Sequence, residues 1–297
     1  MRPFDLLIPG TVEEALALLA DPSGRPIAGG TDLIPLMQAG ELRLQRAIDL
    51  SRLSSLRGIR HDGEGLVRIG ALTTHAQLAS SALLWERATV LAQAARSLGG
   101  VQTRQRGTLG GNLANASPAA YVALALLALE AQVTLRSLRS TRQLPLSEFL
   151  TGPGQTACHD DELLTRVSFP LPGPASGSAF HKLGRRSAMT IAVVSVAAVL
   201  VCENSLIQDA RIALGSVAPT AIRAPQAEGL LRGQPPGETL FYRAGQVAQH
   251  EARPIDDFRA SAEYRRRMVA VLTRRALDNA YVQIRNRTAD HILALTS

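Results

Sequence analysis

Apolar positions along the N-terminal half of the chain come in short runs, some of helical and some of strand period, each closed by Gly, Pro or Asp. Pro9-Gly10 interrupts the opening. Thr11-Val12-Glu13-Glu14 then has the form of a capping box starting a helix through Ala20, which Asp21-Pro22-Ser23-Gly24 stops. A short strand around Ile27 runs into Gly29-Gly30, where Thr31 or Asp32 can cap a helix ending near Gly40. Ala47 to Leu50 and Leu66 to Ile69 read as strands, and Thr73-Thr74 caps a helix that begins near His75. A helix from Trp85 to Leu98 leads into a glycine-rich stretch from Gly99 to Asn112. An apolar helix from Tyr121 to Glu130 and a strand from Val133 to Leu135 follow.

The rhythm changes at residues 169–177, Phe-Pro-Leu-Pro-Gly-Pro-Ala-Ser-Gly, whose Pro and Gly density marks a linker or a long turn. Beyond it, Met189 to Val201 and Ala210 to Leu214 are β-branched or apolar runs joined by a polar turn at Glu203-Asn204-Ser205, the pattern of an antiparallel hairpin. Pro225 to Ala248 and Ser261 to Ala280 read as helices, the second with Tyr264, Met268 and Leu272 at helical spacing. The chain is therefore expected to divide near residue 174, into an α/β part over 1–174 and a smaller α+β part over 175–297.

Composition narrows the chemistry. With 46% apolar and 19% charged residues in 297, two ordinary domains can each form a core, and 4% aromatic residues leave Ala, Leu, Val and Ile to build them. The net charge of +7 comes from 31 Arg and one Lys, Lys182. Lys182 precedes Leu183, so no Walker-type phosphate loop is present, and a Schiff base could use only Lys182. The arginines are scattered, not interleaved with aromatic rings, and accompany no nucleic-acid motif; a solvated surface or a face for acidic partner subunits explains them better than nucleic acid. Cys158 and Cys202 stand apart and the six His are dispersed, so the chain is expected to hold no iron–sulfur cluster and no metal of its own. The start, Met1 to Asp5, lacks the apolar core of a secretory signal, and the longest apolar stretch, Met189 to Cys202, is too short to span a bilayer; a cytoplasmic protein is expected.

Two glycine loops carry candidate chemistry. Ile27-Ala28-Gly29-Gly30-Thr31-Asp32-Leu33 is a strand, paired glycines and a capped helix, a form that can cradle an anion on backbone N–H groups or serve as an ordinary tight turn. Gly107-Thr108-Leu109-Gly110-Gly111-Asn112 sets paired glycines between a Thr hydroxyl and an Asn amide, with Asn115-Ala116-Ser117-Pro118 after it. Neither is G-x-G-x-x-G, so a Rossmann fold is not indicated. Two such loops without Lys or metal ligands suggest a diphosphate cofactor bound by backbone.

Ala-Gly-Gly-Thr-Asp at 28–32 and Thr-Leu-Gly-Gly-Asn at 108–112 closely resemble the FAD-binding medium subunit of the xanthine dehydrogenase and molybdenum hydroxylase family, which includes carbon monoxide dehydrogenase. Val101 to Gly107, Thr151 to Gly154, Asp161 to Leu164, Ser178 to Lys182, Val217 to Thr220 with Ile222-Arg223, and Phe258 to Arg265 extend the resemblance in order. It implies an α+β fold: a two-part FAD-binding domain of the vanillyl-alcohol-oxidase (PCMH) type, then a smaller domain with a three-stranded antiparallel sheet and helices. It places Arg25, Pro26, Ile27, Ala28, Gly29, Gly30, Thr31, Asp32 and Leu33 in the first FAD segment and Thr108, Leu109, Gly110, Gly111 and Asn112 in the second, with Ser117 beyond. Leu164 and Leu98 would lie against the flavin region, Leu98 where some relatives have an aromatic ring. Lys182 falls on a flavin-proximal Lys that could stabilise negative charge on reduced flavin. Tyr121 departs from the pattern, standing where the family commonly has an Asp able to bond the ribose.

The function implied is electron transfer within a complex. A large partner chain would hold the molybdenum cofactor, and a small one two [2Fe–2S] clusters; FAD here would pass electrons to NAD or another acceptor, the whole being a dimer of heterotrimers. The alternatives are a stand-alone flavin-dependent oxidoreductase and a basic scaffold that has lost flavin, which Tyr121 makes conceivable.

Overall fold

The structure, a computed structural model, describes residues 3–186 and 189–296, with side chains as far as residue 287; Met1 and Arg2, on which the reading of the chain start partly rests, lie outside the described residues. The first lobe contains β1 (Asp5–Leu7), α1 (Val12–Leu19), β2 (Gly24–Ile27), α2 (Leu33–Ala39) and β3 (Arg46–Asp49), with a parallel sheet in the order β1-β3-β2. Helix α1 buries Val12, Ala15, Leu16 and Leu19, the i, i+3, i+4, i+7 stripe of an amphipathic helix, against Ile48 and Leu50. Thr11 caps it, its Oγ1 accepting from Glu14 N at 3.1 Å. The reciprocal half of the expected capping box falls one residue upstream: the Glu14 carboxylate accepts from Gly10 N at 2.7 Å, not from Thr11.

The second lobe adds β4 (Ile59–His61), β5 (Leu66–Gly70), α3 (His75–Ser80), α4 (Ala82–Arg87), α5 (Thr89–Arg96), α6 (Val101–Arg106), α7 (Leu109–Ala114) and α8 (Tyr121–Ala128). It continues with β6 (Gln132–Arg136), β7 (Thr141–Pro145), α9 (Leu146–Phe149), β8 (Leu150–Gly152), β9 (Gln155–Thr156) and β10 (Leu163–Pro170). Five of these strands form an antiparallel sheet in the order β4-β5-β10-β6-β7. The single helix expected from Trp85 to Leu98 is two, parted at Ala88 (φ −142°, ψ 51°), where the Thr89 hydroxyl donates to Trp85 O at 2.9 Å. The glycine-rich stretch after it forms α6 and α7 on either side of Gly107. Helix α8 is buried along its whole length, which explains its lack of a polar face.

The expected linker is shorter than its Pro and Gly content suggests, because Phe169 and Pro170 close β10 and Ser176 opens β11 (Ser176–Leu183). With β12 (Val194–Glu203) and β13 (Leu206–Gly215), β11 supplies the three long antiparallel strands expected; the two-residue β14 (Ile222–Arg223) is added beside β13. Asn204 and Ser205, at φ +51° and +62°, turn the β12–β13 hairpin with both central residues left-handed. Strand β12 reads as a continuous apolar run because both faces are covered: Ala197 and Val199 join the second-lobe core around α5 and α8, while Val196, Ala198 and Leu200 face a separate core. That core is closed by α10 (Pro225–Leu231), α11 (Glu238–Glu251) and α12 (Ala262–Thr296). The helix expected over 225–248 is split into α10 and α11, since Gly233, Pro235, Pro236 and Gly237 cannot continue it. Cys158 and Cys202 are unpaired and half-buried; burial pushes the Cys158 thiol up to about 12, so it packs as a small hydrophobe.

Candidate functional site

The two glycine loops, far apart in sequence, touch. A Cβ on Gly29 would lie 2.0 Å from Arg106 O and 3.0 Å from Gly107 Cα, so only glycine allows the backbones to meet. Gly30, at φ +71°, turns the first loop into α2. Around this contact, Thr31 Oγ1 lies beside Gly107, and Asn115 Nδ2 donates to Asp32 Oδ1 at 3.3 Å. That bond corrects one expectation: neither Thr31 nor Asp32 caps α2, because the Asp32 carboxylate faces the second loop instead.

The two loops use their amides differently. In the second, Leu109 N donates to Thr73 O (2.9 Å), Gly110 N to Ala71 O (2.7 Å) and Gly111 N to Thr108 Oγ1 (3.2 Å), so the loop is pinned to the second lobe. In the first, among the described residues, no intrachain hydrogen bond engages the N–H groups of Gly29, Gly30, Thr31, Asp32 or Leu33. Asn112 Oδ1 is buried and also without a partner. Five consecutive donors and a buried acceptor around one close approach leave polar groups that a bound diphosphate and its polyol can satisfy.

The remaining expected site residues lie in four places. Arg25 and Pro26 sit on β2, paired with Ala47 and Ile48, and lead into the first loop. Leu98 is half-buried against the second-lobe core, Leu164 is buried in it beside the β10–β6 pairing, and Ser117 Oγ accepts from Ala119 N in the turn after α7. Lys182, on β11, donates from Nζ to Ser97 O at 2.8 Å and lies 4.8 Å from the centre of the Tyr121 ring. Its partial burial lowers its pKa. Tyr121 OH donates to Thr190 O at 2.9 Å and so ties α8 to the segment before β12. The six residues of α6, about 9 Å long at 1.5 Å per residue, connect the Ser97–Lys182 contact to the paired loops. Arg104 Nη1 donates to Leu98 O and Gly99 O, both at 3.0 Å, and stiffens that connection.

A family model described as the FAD binding domain in molybdopterin dehydrogenase matches residues 2–172, and one described as the CO dehydrogenase flavoprotein C-terminal domain matches 178–280. The chain belongs to this flavoprotein family. It is 33% identical over 272 residues to the xanthine dehydrogenase FAD-binding subunit of Escherichia coli O157:H7, covering 91% of this chain and 93% of that one. To the carbon monoxide dehydrogenase medium chain of Hydrogenophaga pseudoflava it is 31% identical over 282 residues, covering 94% and 98%. The solved structure of carbon monoxide dehydrogenase from Hydrogenophaga pseudoflava superposes with a TM-score of 0.90 at 32% identity, over 95% of this chain and 99% of that chain.

The protein is thus an FAD-binding medium subunit of the molybdenum hydroxylases, an oxidoreductase component whose cofactor is FAD. The free amides of the first loop and the orphaned Asn112 oxygen fit that cofactor.

His75 is the residue of this flavoprotein's site that sequence patterns do not reveal. It is 2% exposed, its backbone N donates to Gly107 O at 3.0 Å, and its ring lies under Gly107 with Nδ1 unpartnered. Burial lowers its pKa from 6.5 to about 4. The unfolded chain therefore binds a proton below pH 6.5 that the folded one refuses until about pH 4, and stability falls across that window as the pH drops. Thermal melts of His75→Gln should show a flatter pH dependence between 6.5 and 4 than the parent; an unchanged slope contradicts this account.

Proposed function

We propose that this chain is the electron-transfer subunit of a molybdenum-containing dehydrogenase, standing between a small partner with [2Fe–2S] clusters and an acceptor, NAD or another. A large partner carries the molybdenum cofactor and the substrate pocket, the assembly is a dimer of heterotrimers, and it works in the cytoplasm. The functional division falls at 174/175, with residues 1–174 binding the flavin and 175–297 supplying Lys182 and a docking surface. The observation that carries this reading is the contact of Gly29 with Arg106 and Gly107 beside five unengaged amides. FAD, when bound, supplies a centre that takes electrons one at a time and gives them up as a pair.

In this reading Gly29 to Leu33 donate to the diphosphate, Thr108 and Asn112 meet the polyol and phosphate oxygens, and Leu98 and Leu164 exclude water from the ring. Lys182 keeps donors beyond the one spent on Ser97 O and sets positive charge near the flavin. The purified chain, mixed with FAD and freed of excess, should show the flavin absorption bands; a chain that is colourless after loading with saturating FAD and removal of the excess overturns the reading. The isolated chain should turn over no organic substrate until both partners are added, which separates a subunit from a stand-alone oxidoreductase.

Lys182→Met should lower the two-electron potential of bound flavin, because removing a cation destabilises the reduced, more negative form. Spectroscopic redox titration of the two proteins checks this, and identical potentials would leave Lys182 with only its structural bond to Ser97.

A further inference from the structure

We propose that the outer face of the five-stranded sheet carries a second binding site, for a small oxyanion held by the guanidinium of Arg166. Strand register builds it. Ser168 on β10 stands opposite Arg68 on β5 and Gln132 on β6, while Arg166 stands opposite Thr134, itself opposite Gln143 on β7. Strand alternation sends these side chains away from the core face formed by Val67, Ile69, Val133 and Val167. Arg68, Glu130, Gln132, Gln143, Arg166 and Ser168 line a cavity of about 210 Å³ there.

The charges in this cavity are matched except one. Arg68 pairs with Asp62 at 2.7 Å, and the Glu130 oxygens take Arg211 at 3.3 Å and Arg223 at 3.4 Å. Arg166 makes no side-chain hydrogen bond and no ion pair among the described residues, and its Nε is buried. The first lobe covers the sheet beside it: a Cβ on Gly70, opposite Arg166, would sit 2.3 Å from Leu56 O. A buried Nε–H without an acceptor is costly, and a phosphate or carboxylate removes that cost through a forked pair of charge-assisted bonds from Nε and one Nη. The Ser168 hydroxyl and the Gln132 amide supply neutral donors alongside; Gln143 already gives one N–H to Thr134 Oγ1 at 3.3 Å. The volume lies below the roughly 300 Å³ at which pockets for larger ligands begin, which suits inorganic phosphate or a short dicarboxylate and excludes a nucleotide.

The test uses the FAD-loaded full chain, titrated separately with inorganic phosphate and with succinate at constant ionic strength set by chloride, following Tm. At least one anion should raise Tm saturably, with half-saturation at or below about 1 mM. Arg166→Met should abolish the rise. Arg166→Lys should weaken it about tenfold by losing one charge-assisted bond, and it carries the test if Arg166→Met does not fold. Both variants should keep the flavin absorption of the parent, since the loops are elsewhere. Phosphate binding alone marks a phosphate-bearing ligand, and succinate binding alone a carboxylate. The proposal is overturned if neither anion gives a saturable shift, or if Arg166→Met responds like the parent. It is also overturned if Arg166→Met blocks assembly with the partner chains while no anion binds, which would assign the guanidinium to a partner's acidic side chain.

Discussion

Gly29→Ala is expected to strip the protein of FAD while leaving most of the fold standing. The added Cβ would lie 2.0 Å from Arg106 O, 2.6 Å from Arg106 C and 3.0 Å from Gly107 Cα, all backbone atoms that no rotamer change can move aside. One loop must yield. The second is fixed by its bonds from Leu109, Gly110 and Gly111, and Gly107 O is held by His75 N, whereas the first loop's amides have no such ties. The first loop therefore moves, carrying its donors off the cofactor's diphosphate. Overpacking of this kind costs stability by about 1–3 kcal/mol, and the first-lobe core around Leu16 and Ile48 is not touched. Affinity for FAD should fall by about 100-fold or more, equivalent to roughly 2.7 kcal/mol, measured by quenching of flavin fluorescence on titration. Gly229→Ala, on α10 with open space around the new methyl, is the matched control and should bind FAD like the parent. A Gly29→Ala protein with parental affinity would mean that the loop contact is not what holds the cofactor.

Much of this site was legible because its determinants are local. Thr74 and Thr108 cap α3 and α7 through their own neighbours, Gln77 and Gly111, so short motifs announce them. What sequence could not show is long-range. Asp32 looks like a helix cap and instead bonds Asn115. His75 looks like the first residue of an ordinary helix and lies buried under Gly107. Strand β10, central in its sheet, escapes notice because a bulge between Leu164 and Arg166 breaks its alternation and Pro170 ends it in what reads as a linker. The edge strands β4 and β7 are short and polar, so no apolar period marks them. Lys182 is conspicuous as the one lysine, yet only the fold shows that its ammonium rests on Ser97 O above the Tyr121 ring.

Arg265→Met should be strongly destabilising to the C-terminal half. The guanidinium, on α12 and 2% exposed, donates from Nη1 to Val193 O at 2.8 Å and Ser216 O at 2.9 Å, and from Nη2 to Asp257 Oδ1 at 2.6 Å. It thereby joins the long helix to the start of β12, the turn after β13 and the loop before α12. Methionine fills much of the same volume but supplies no donor, leaving the Val193 and Ser216 carbonyls without that partner and Asp257 with only Arg259 and the Ala260 amide. Breaking a buried pair costs about 3–5 kcal/mol, which in a chain of this size lowers Tm by roughly 10 °C. Acid sensitivity should change with it. Desolvation would raise the Asp257 pKa, but the Arg259 amide and then the Arg265 guanidinium outweigh it and hold the carboxyl at about 2, against 3.8 when unfolded. That depressed value contributes stability that is complete above about pH 4 and lost as the pH falls toward 2. Without Arg265 the folded pKa rises, so the variant has less of this stability to lose, and its Tm should fall less steeply than the parent's across that window. Arg265→Lys should recover only part of the loss, because one compact ammonium cannot reproduce the fork that serves three acceptors in two directions. Calorimetric melts of the three proteins from pH 7 to pH 2 decide the matter: parallel curves, or a drop in Tm under 2 °C, would show that the two carbonyls find other donors and that this network does not hold α12 in place.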